Sequence, residues 1–170
     1  MSVEDPRIFR ASHDAMERFV ADRMLGKLAR WLRVLGYDTL YLGAAGDEVI
    51  RQELDAGRIL VTRNRRAHPW LKRGRVVVIE ADNPREQLQE VVRQLRLPLA
   101  AEALLNRCLG CNRPLMTVGK EEVRGDVPDY VWQTHAEFRR CQGCRRVFWS
   151  GSHAKNMRHR LKADFSDLWE

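Results

Sequence analysis

The hydrophobic positions change rhythm several times along the chain, and each change marks an element. Residues 1–17 are polar without a clear period and read as an N-terminal arm with no assigned role. Phe19, Val20 and Ala21 make a short apolar run ending at Asp22, after which Leu25, Leu28, Trp31, Leu32 and Leu35 recur at helical spacing. This predicts a strand and then an amphipathic helix, closed by Gly36, a residue free to take positive φ. TLYLG reads as a second strand, and Asp47 to Ala56 as a second helix with Val49, Ile50 and Leu54 inward and Gly57 at its end. RILVT is continuously apolar, as suits a strand covered on both faces. VVVIE, another strand, follows a basic loop around Lys72 to Arg75. Asn83 as cap and Pro84 in the first position open a further helix expected to run to about Gln94.

Strands alternating with helices imply a mainly parallel sheet with helices on both faces. The chain therefore divides into an α/β domain over 18–98, a linker near 96–106, and a smaller unit over 107–162 that ends in a basic tail. At 170 residues with 44% hydrophobic content there is enough material for a real core and a satellite. No apolar run approaches the roughly 20 residues of a membrane span, and the opening residues carry charges where a signal peptide needs an apolar stretch. The expectation is a cytoplasmic protein with no membrane partner.

The smaller unit carries the sharpest chemical signal. Cys108 and Cys111, and Cys141 and Cys144, form two Cys-x-x-Cys pairs, each with glycine just before its second cysteine. Two thiolates so spaced can face one ion, and two such turns complete a tetrahedral zinc site with four sulfur ligands. Paired disulfides suit secreted chains, and a single redox dithiol would leave the second pair unexplained. Four cysteines leave no open coordination position, so the zinc is expected to be structural, and catalysis must lie elsewhere.

In a parallel sheet, ligands bind beyond the carboxyl ends of the strands. Asp22 ends the first strand, Thr62, Arg63 and Asn64 follow the third, Asp82 follows the fourth, and Asp47 and Glu48 open the helix before the third. Gathered carboxylates of this kind hold Mg²⁺ or Mn²⁺ and activate water for phosphodiester cleavage. A plainer reading competes: Asp47 caps a helix, Glu48 favours its dipole, and Asp82 assists the next helix start.

Charge adds a partner class. Thirty Lys and Arg against 23 Asp and Glu leave a net charge of +7, which favours polyanions. Arg23, Lys27 and Arg30 are expected on one face of the first helix, and Arg63, Arg65 and Arg66 follow the third strand, so both groups flank the acidic edge. Residues 139–162 contain Arg145, Arg146, Lys155 and Arg158 and no acidic residue. Trp149 and His153 lie in the same stretch, a combination suited to single-stranded nucleic acid, although Trp149 also fits the small unit's own core.

The runs FVADRMLGKLARWLRVLGYDT and RILVTRNR, the Gln87-Leu88 pair, RCLGCNRPL and CQGCRRVFWSGSH, in that order over roughly residues 18 to 160, resemble the Mut-seven C-terminal RNase family. The resemblance implies a PIN-like nuclease domain followed by a zinc ribbon, a divalent-metal-dependent ribonuclease activity, and RNA as partner, with DNA as the alternative. It implies that Asp22 and Asp47 match the family's first two acidic positions. The third departs: the family's Thr-Arg-Asp stands here as Thr62-Arg63-Asn64. Asparagine offers a carbonyl oxygen to a hard cation but removes a negative charge and cannot act as a base. Asp82 is the candidate replacement. Three functions follow: an RNase acting through Asp22, Asp47, Asn64 and Asp82, a nucleic-acid-binding module that has lost turnover, or a ribbon that docks proteins.

Overall fold

A computed structural model describes residues 16–43, 46–65 and 74–169. Residues 1–15 of the expected N-terminal arm, Arg66 and the loop residues Lys72 and Arg73 lie outside them. The first sheet contains β1 (Arg18–Ala21), β2 (Asp38–Tyr41), β3 (Ile59–Thr62) and β4 (Val76–Val78), all parallel in the order β2-β1-β3-β4. Phe19 stands beside Thr39 on one side and Ile59 on the other, and Val61 beside Val77. Between and after the strands run α1 (Gly26–Val34), α2 (Asp47–Asp55) and α3 (Pro84–Leu95).

Side chains alternate across a strand, so each strand feeds two cores. Phe19, Ala21, Ile59, Val61 and Val77 pack with Leu28 and Leu32 of α1 and Leu88, Val91 and Val92 of α3. On the other face Val20 and Leu60 pack with Leu54 of α2, supported by Leu40, Ile50 and Val76. This is why RILVT is apolar throughout. Asn83 caps α3 as expected, its side-chain oxygen accepting from the N–H groups of Arg85 at 3.1 Å and Glu86 at 2.9 Å.

The stretch expected to be a linker is instead part of the first core. Arg96 turns the chain out of α3 in the left-handed region (φ 49°), after which Leu97, Leu99 and Leu104 are buried. Leu105 donates its N–H to the carbonyl of Val34 at 2.8 Å. Gly36 sits beneath this segment with φ 95°, and a Cβ there would lie 2.6 Å from the carbonyl oxygen of Ala103. Both the backbone conformation and the close approach require glycine.

The second sheet is antiparallel, β5 (Leu115–Val118), β6 (Phe138–Cys141) and β7 (Val147–Trp149) in that order. A short helix, α4 (Asp129–Thr134), helps enclose a small core of Val123, Val127, Val131 and Phe138. The chain then returns to the α/β domain. The basic tail is a helix, α5 (Ser152–Asp164), and Met157, Leu161 and the following Phe165 are buried in the first core. Burial of side chains this size contributes about 1.5–3 kcal/mol each, so this tail is a structural member of the larger domain.

Candidate functional site

Parallel strands bring their carboxyl ends to one edge of the sheet. Asp22, immediately after β1, is held there by the end of β3 and by its own turn: its N–H donates to the carbonyl of Val61 at 3.2 Å, and its carboxylate accepts three hydrogen bonds. Met24 N–H donates to Oδ1 at 2.9 Å, Arg63 N–H to Oδ2 at 3.3 Å, and the Thr62 hydroxyl also donates to Oδ2. The Thr62 oxygen in turn accepts the N–H of Asn64 at 3.0 Å. Thr62 is buried at the end of β3 and takes a positioning role that its place in the sequence does not announce. Its signal was a single hydroxyl closing an otherwise apolar strand.

Asp82 stands beyond β4, its side chain 90% exposed, with Oδ1 2.5 Å from the Arg63 guanidinium. The turn that carries it is held by buried Gln87, which donates to the carbonyls of Ala81 at 3.1 Å and Asp82 at 3.2 Å. Gln87 therefore supports the edge without facing it as a charged group. Asp47 is the first residue of α2 and exposed; the cap position is Gly46, with no side-chain cap bond, so the expectation that Asp47 caps this helix is corrected. Among the described residues, Asp22, Asp47 and Asp82 do not form a group with all ligand atoms within 4.8 Å.

The cations expected around this edge are spread out. Arg23 is not on the first helix but in the exposed turn before it, its carbonyl accepting the Tyr41 hydroxyl at 2.9 Å, because the helix begins only at Gly26. Lys27 and Arg30 are exposed on α1 itself. Arg65 lies 3.5 Å from Glu80.

The four cysteines do gather. Ligand atoms of Cys108, Cys111, Cys141 and Cys144 all lie within 4.8 Å of one another, with Cys108 Sγ 3.5 Å from Cys144 Sγ and Cys111 Sγ 3.2 Å from Cys141 Sγ. All four are free thiols, and the donor set fits a tetrahedral soft-metal site. Burial pushes the Cys108 thiol up to about 12, while the N–H of Arg113 and the neighbouring Cys141 bring Cys111 down to about 6. Arginines close over both turns: a Cβ on Gly110 would meet the Arg146 guanidinium at 2.9 Å, and one on Gly143 would meet Arg113 at 2.8 Å. Two cations beside four thiolates offset the charge that a dipositive ion would leave.

This cluster is docked at the opposite end of the sheet from Asp22. Asn112, directly after Cys111, accepts the N–H of Thr39 at 3.0 Å and donates to Asp38 at 2.7 Å. Asp38 begins β2 and also pairs with Arg58 at 2.8 Å. Burial alone would raise the Asp38 carboxyl, but hydrogen bonds from Arg58 and Asn112 outweigh it and hold it below its ordinary value. From α1, buried Arg33 donates to the carbonyls of Leu109 and Gly110, both at 3.0 Å, and to Thr39 at 2.9 Å. Strands of this length span about 13 Å, so a metal in the cysteine cluster stands too far away to touch chemistry at Asp22.

Of the remaining basic residues, Arg145 and Arg146 are exposed beside the cysteines, His153 and Lys155 are exposed on α5, and Arg158 is partly buried. Trp149 is half-buried and packs against the ribbon core, as the alternative reading of it proposed. Among the described residues no helix is long and apolar enough to cross a membrane. Comparisons with curated proteins and with solved structures give no match. The model of the Mut7-C RNase domain, however, matches residues 17–161, which includes the carboxylate edge, the four cysteines and most of α5; the chain belongs to the Mut7-C RNase domain family.

Proposed function

We propose that the chain is a divalent-metal-dependent ribonuclease of PIN-like type whose ordered carboxylate is Asp22. The observation that carries this reading is the three-bond cradle around Asp22 at the carboxyl edge of a parallel sheet. A carboxylate has about four lone-pair sites, so Asp22 retains capacity for a cation. Mg²⁺ and Mn²⁺ need only one or two protein carboxylates, with waters and substrate phosphate completing the shell. The separation among Asp22, Asp47 and Asp82 is compatible with that mode. When bound, the ion lowers the pKa of its water and offsets charge on the phosphate. In the hydrolysis a water oxygen bonds to phosphorus and gives up its proton to solvent, while the bond from phosphorus to the leaving ribose oxygen breaks and that oxygen takes a proton from solvent. In this reading Asp22 orients the cation, Asp47 and Asp82 supply further negative charge, and Asn64 contributes a neutral oxygen. The cysteine cluster holds structural zinc.

A second reading, a nucleic-acid-binding module without turnover, draws on Asn64 in place of the family's acid and on the Arg63 cation already seated on Asp82. One experiment separates the two. Wild type, Asp22→Asn and Asn64→Asp, all zinc-loaded, are incubated with single-stranded RNA with Mg²⁺, with Mn²⁺ or with neither ion added. The ribonuclease reading expects cleavage that Asp22→Asn and omission of both ions abolish and that Asn64→Asp increases. Binding without cleavage under either metal gives the second reading, and cleavage by Asp22→Asn at the wild-type rate refutes the first.

A further inference from the structure

A cleft of about 620 Å³ opens between the antiparallel sheet and the first turns of α5. One wall is the face of that sheet turned away from the ribbon core. In the ladder, Thr117 pairs with Arg139 and Arg139 with Phe148, so these three side chains form a row across β5, β6 and β7. Phe148 is partly buried and, among the described residues, belongs to none of the hydrophobic cores. The facing wall contains His153, Met157 and Arg158. The Nε of Arg158 is buried beneath this wall and has no hydrogen-bond partner among the described residues, a state that costs free energy. Among the described residues, Glu137 is the sole acidic one lining the cleft.

We infer that this cleft is an anchoring site for single-stranded RNA, in which Phe148 stacks on a base and Arg158 takes an adjacent phosphate. An aromatic face beside a cation is the combination that holds unpaired nucleotides, whereas a duplex buries its base faces. The cleft is also connected to the candidate active edge. Lys155, Arg158, His159 and Lys162 follow at helical spacing along one flank of α5, beside the face that Met157 and Leu161 bury. The helix ends at Asp164, which pairs with Arg85 at 2.8 Å, three residues beyond Asp82. Thirteen residues of helix span about 20 Å, so a strand held in the cleft is led along a basic flank toward the carboxylates. This placement deepens the ribonuclease reading and rests on it for what the anchored strand is brought to; the anchoring itself does not depend on turnover.

The test is fluorescence anisotropy with a labelled single-stranded RNA of about ten nucleotides, using the full zinc-loaded chain in a buffer without Mg²⁺ or Mn²⁺ so that the probe is not consumed. Phe148→Ala is expected to weaken binding about 5- to 150-fold. Phe148→Tyr, which keeps the ring, is expected to bind like wild type, and Phe148→Leu, which keeps the bulk, to bind like the alanine variant. The leucine and tyrosine pair carries the test if the alanine variant does not fold. Arg158→Gln should reduce the slope of log K against log salt by about 0.7, the value of one single-strand phosphate contact. Equal affinity of Phe148→Leu and Phe148→Tyr, absence of binding by wild type, or a duplex bound as tightly as the single strand each overturns the inference. Cleft-dependent binding by a chain that never cleaves RNA would refute the ribonuclease reading and leave the anchor standing. Cleavage by a chain whose Phe148 variants bind normally would do the reverse.

Discussion

Arg63 reaches two carboxylates at once: its backbone N–H donates to Asp22 at 3.3 Å, and its guanidinium lies 2.5 Å from Asp82. The backbone contact orients Asp22 in any variant at this position, while the side chain neutralises Asp82. Arg63→Ala is therefore expected to keep the fold and alter the charge of the edge. An ion pair with one partner so exposed is worth about 0–1 kcal/mol, so stability should change little. Removing the competing cation should tighten Mn²⁺ binding about fivefold, read as loss of the free Mn²⁺ signal in electron paramagnetic resonance titrations. Unchanged Mn²⁺ affinity would remove Asp82 from the metal site.

Thr62 tests the cradle itself. Its hydroxyl donates to Asp22 and its oxygen accepts the N–H of Asn64, so Thr62→Val removes two bonds without changing side-chain shape. A buried hydrogen bond lost with its partner left in place costs about 1–3 kcal/mol, to be read from urea denaturation. RNA cleavage should fall further than stability accounts for, with Thr62→Ser retaining both. If Thr62→Val loses stability but cleaves at the wild-type rate under saturating metal, Asp22 does not need this orientation for chemistry.

Much of this arrangement is legible in the sequence, for identifiable reasons. Apolar runs ending in Asp22 and in Thr62 reveal the parallel strands because both faces of the sheet are covered, and paired Cys-x-x-Cys turns reveal the cysteine cluster because the ligands are local in sequence. What the residues do not disclose are relationships made only by tertiary packing. Leu97, Leu99 and Leu104 look like a linker with a proline, yet they complete the first core. The basic composition of 152–162 conceals the buried stripe of Met157 and Leu161, and the cleft beside Phe148 exists only because α5 folds back across the ribbon. That the ligand atoms of Asp22, Asp47 and Asp82 do not all converge within 4.8 Å is likewise a matter of turn geometry that strand-end reasoning does not reach.

Asp38 gives a prediction in pH. Hydrogen bonds from Arg58 and Asn112 depress its folded pKa below the ordinary 3.8, despite burial acting in the other direction. A depressed carboxyl contributes stability that is fully present above the unfolded value and is lost as pH falls through the folded one. The stability advantage of wild type over Asp38→Asn should therefore hold near neutrality and shrink only below about pH 4. Urea melts followed by tryptophan fluorescence across that range measure it. Acid protonation of the cysteines acts on both proteins and cancels in the difference, so an advantage that persists unchanged well below that pH would mean Asp38 acts through packing alone.

Removal of the metal should be felt in the α/β domain as well as in the ribbon. A four-thiolate zinc site contributes on the order of 10 kcal/mol to the unit that carries it, so a strong chelator is expected to unfold the ribbon and release about one zinc per chain, counted with a chromogenic indicator. Arg33 then loses the carbonyls of Leu109 and Gly110, while its remaining bond to Thr39 keeps it at the buried foot of α1. Leaving a buried cation short of acceptors costs about 1–3 kcal/mol or more, which lowers the melting temperature of a domain this size by roughly 4–24 °C. Arg33→Met removes the charge together with its need for acceptors, so zinc loss should lower the melting temperature of that variant's α/β domain by distinctly less. An equal drop in both proteins would locate the coupling elsewhere, with Asn112 and its bonds to Thr39 and Asp38 the next connection to break.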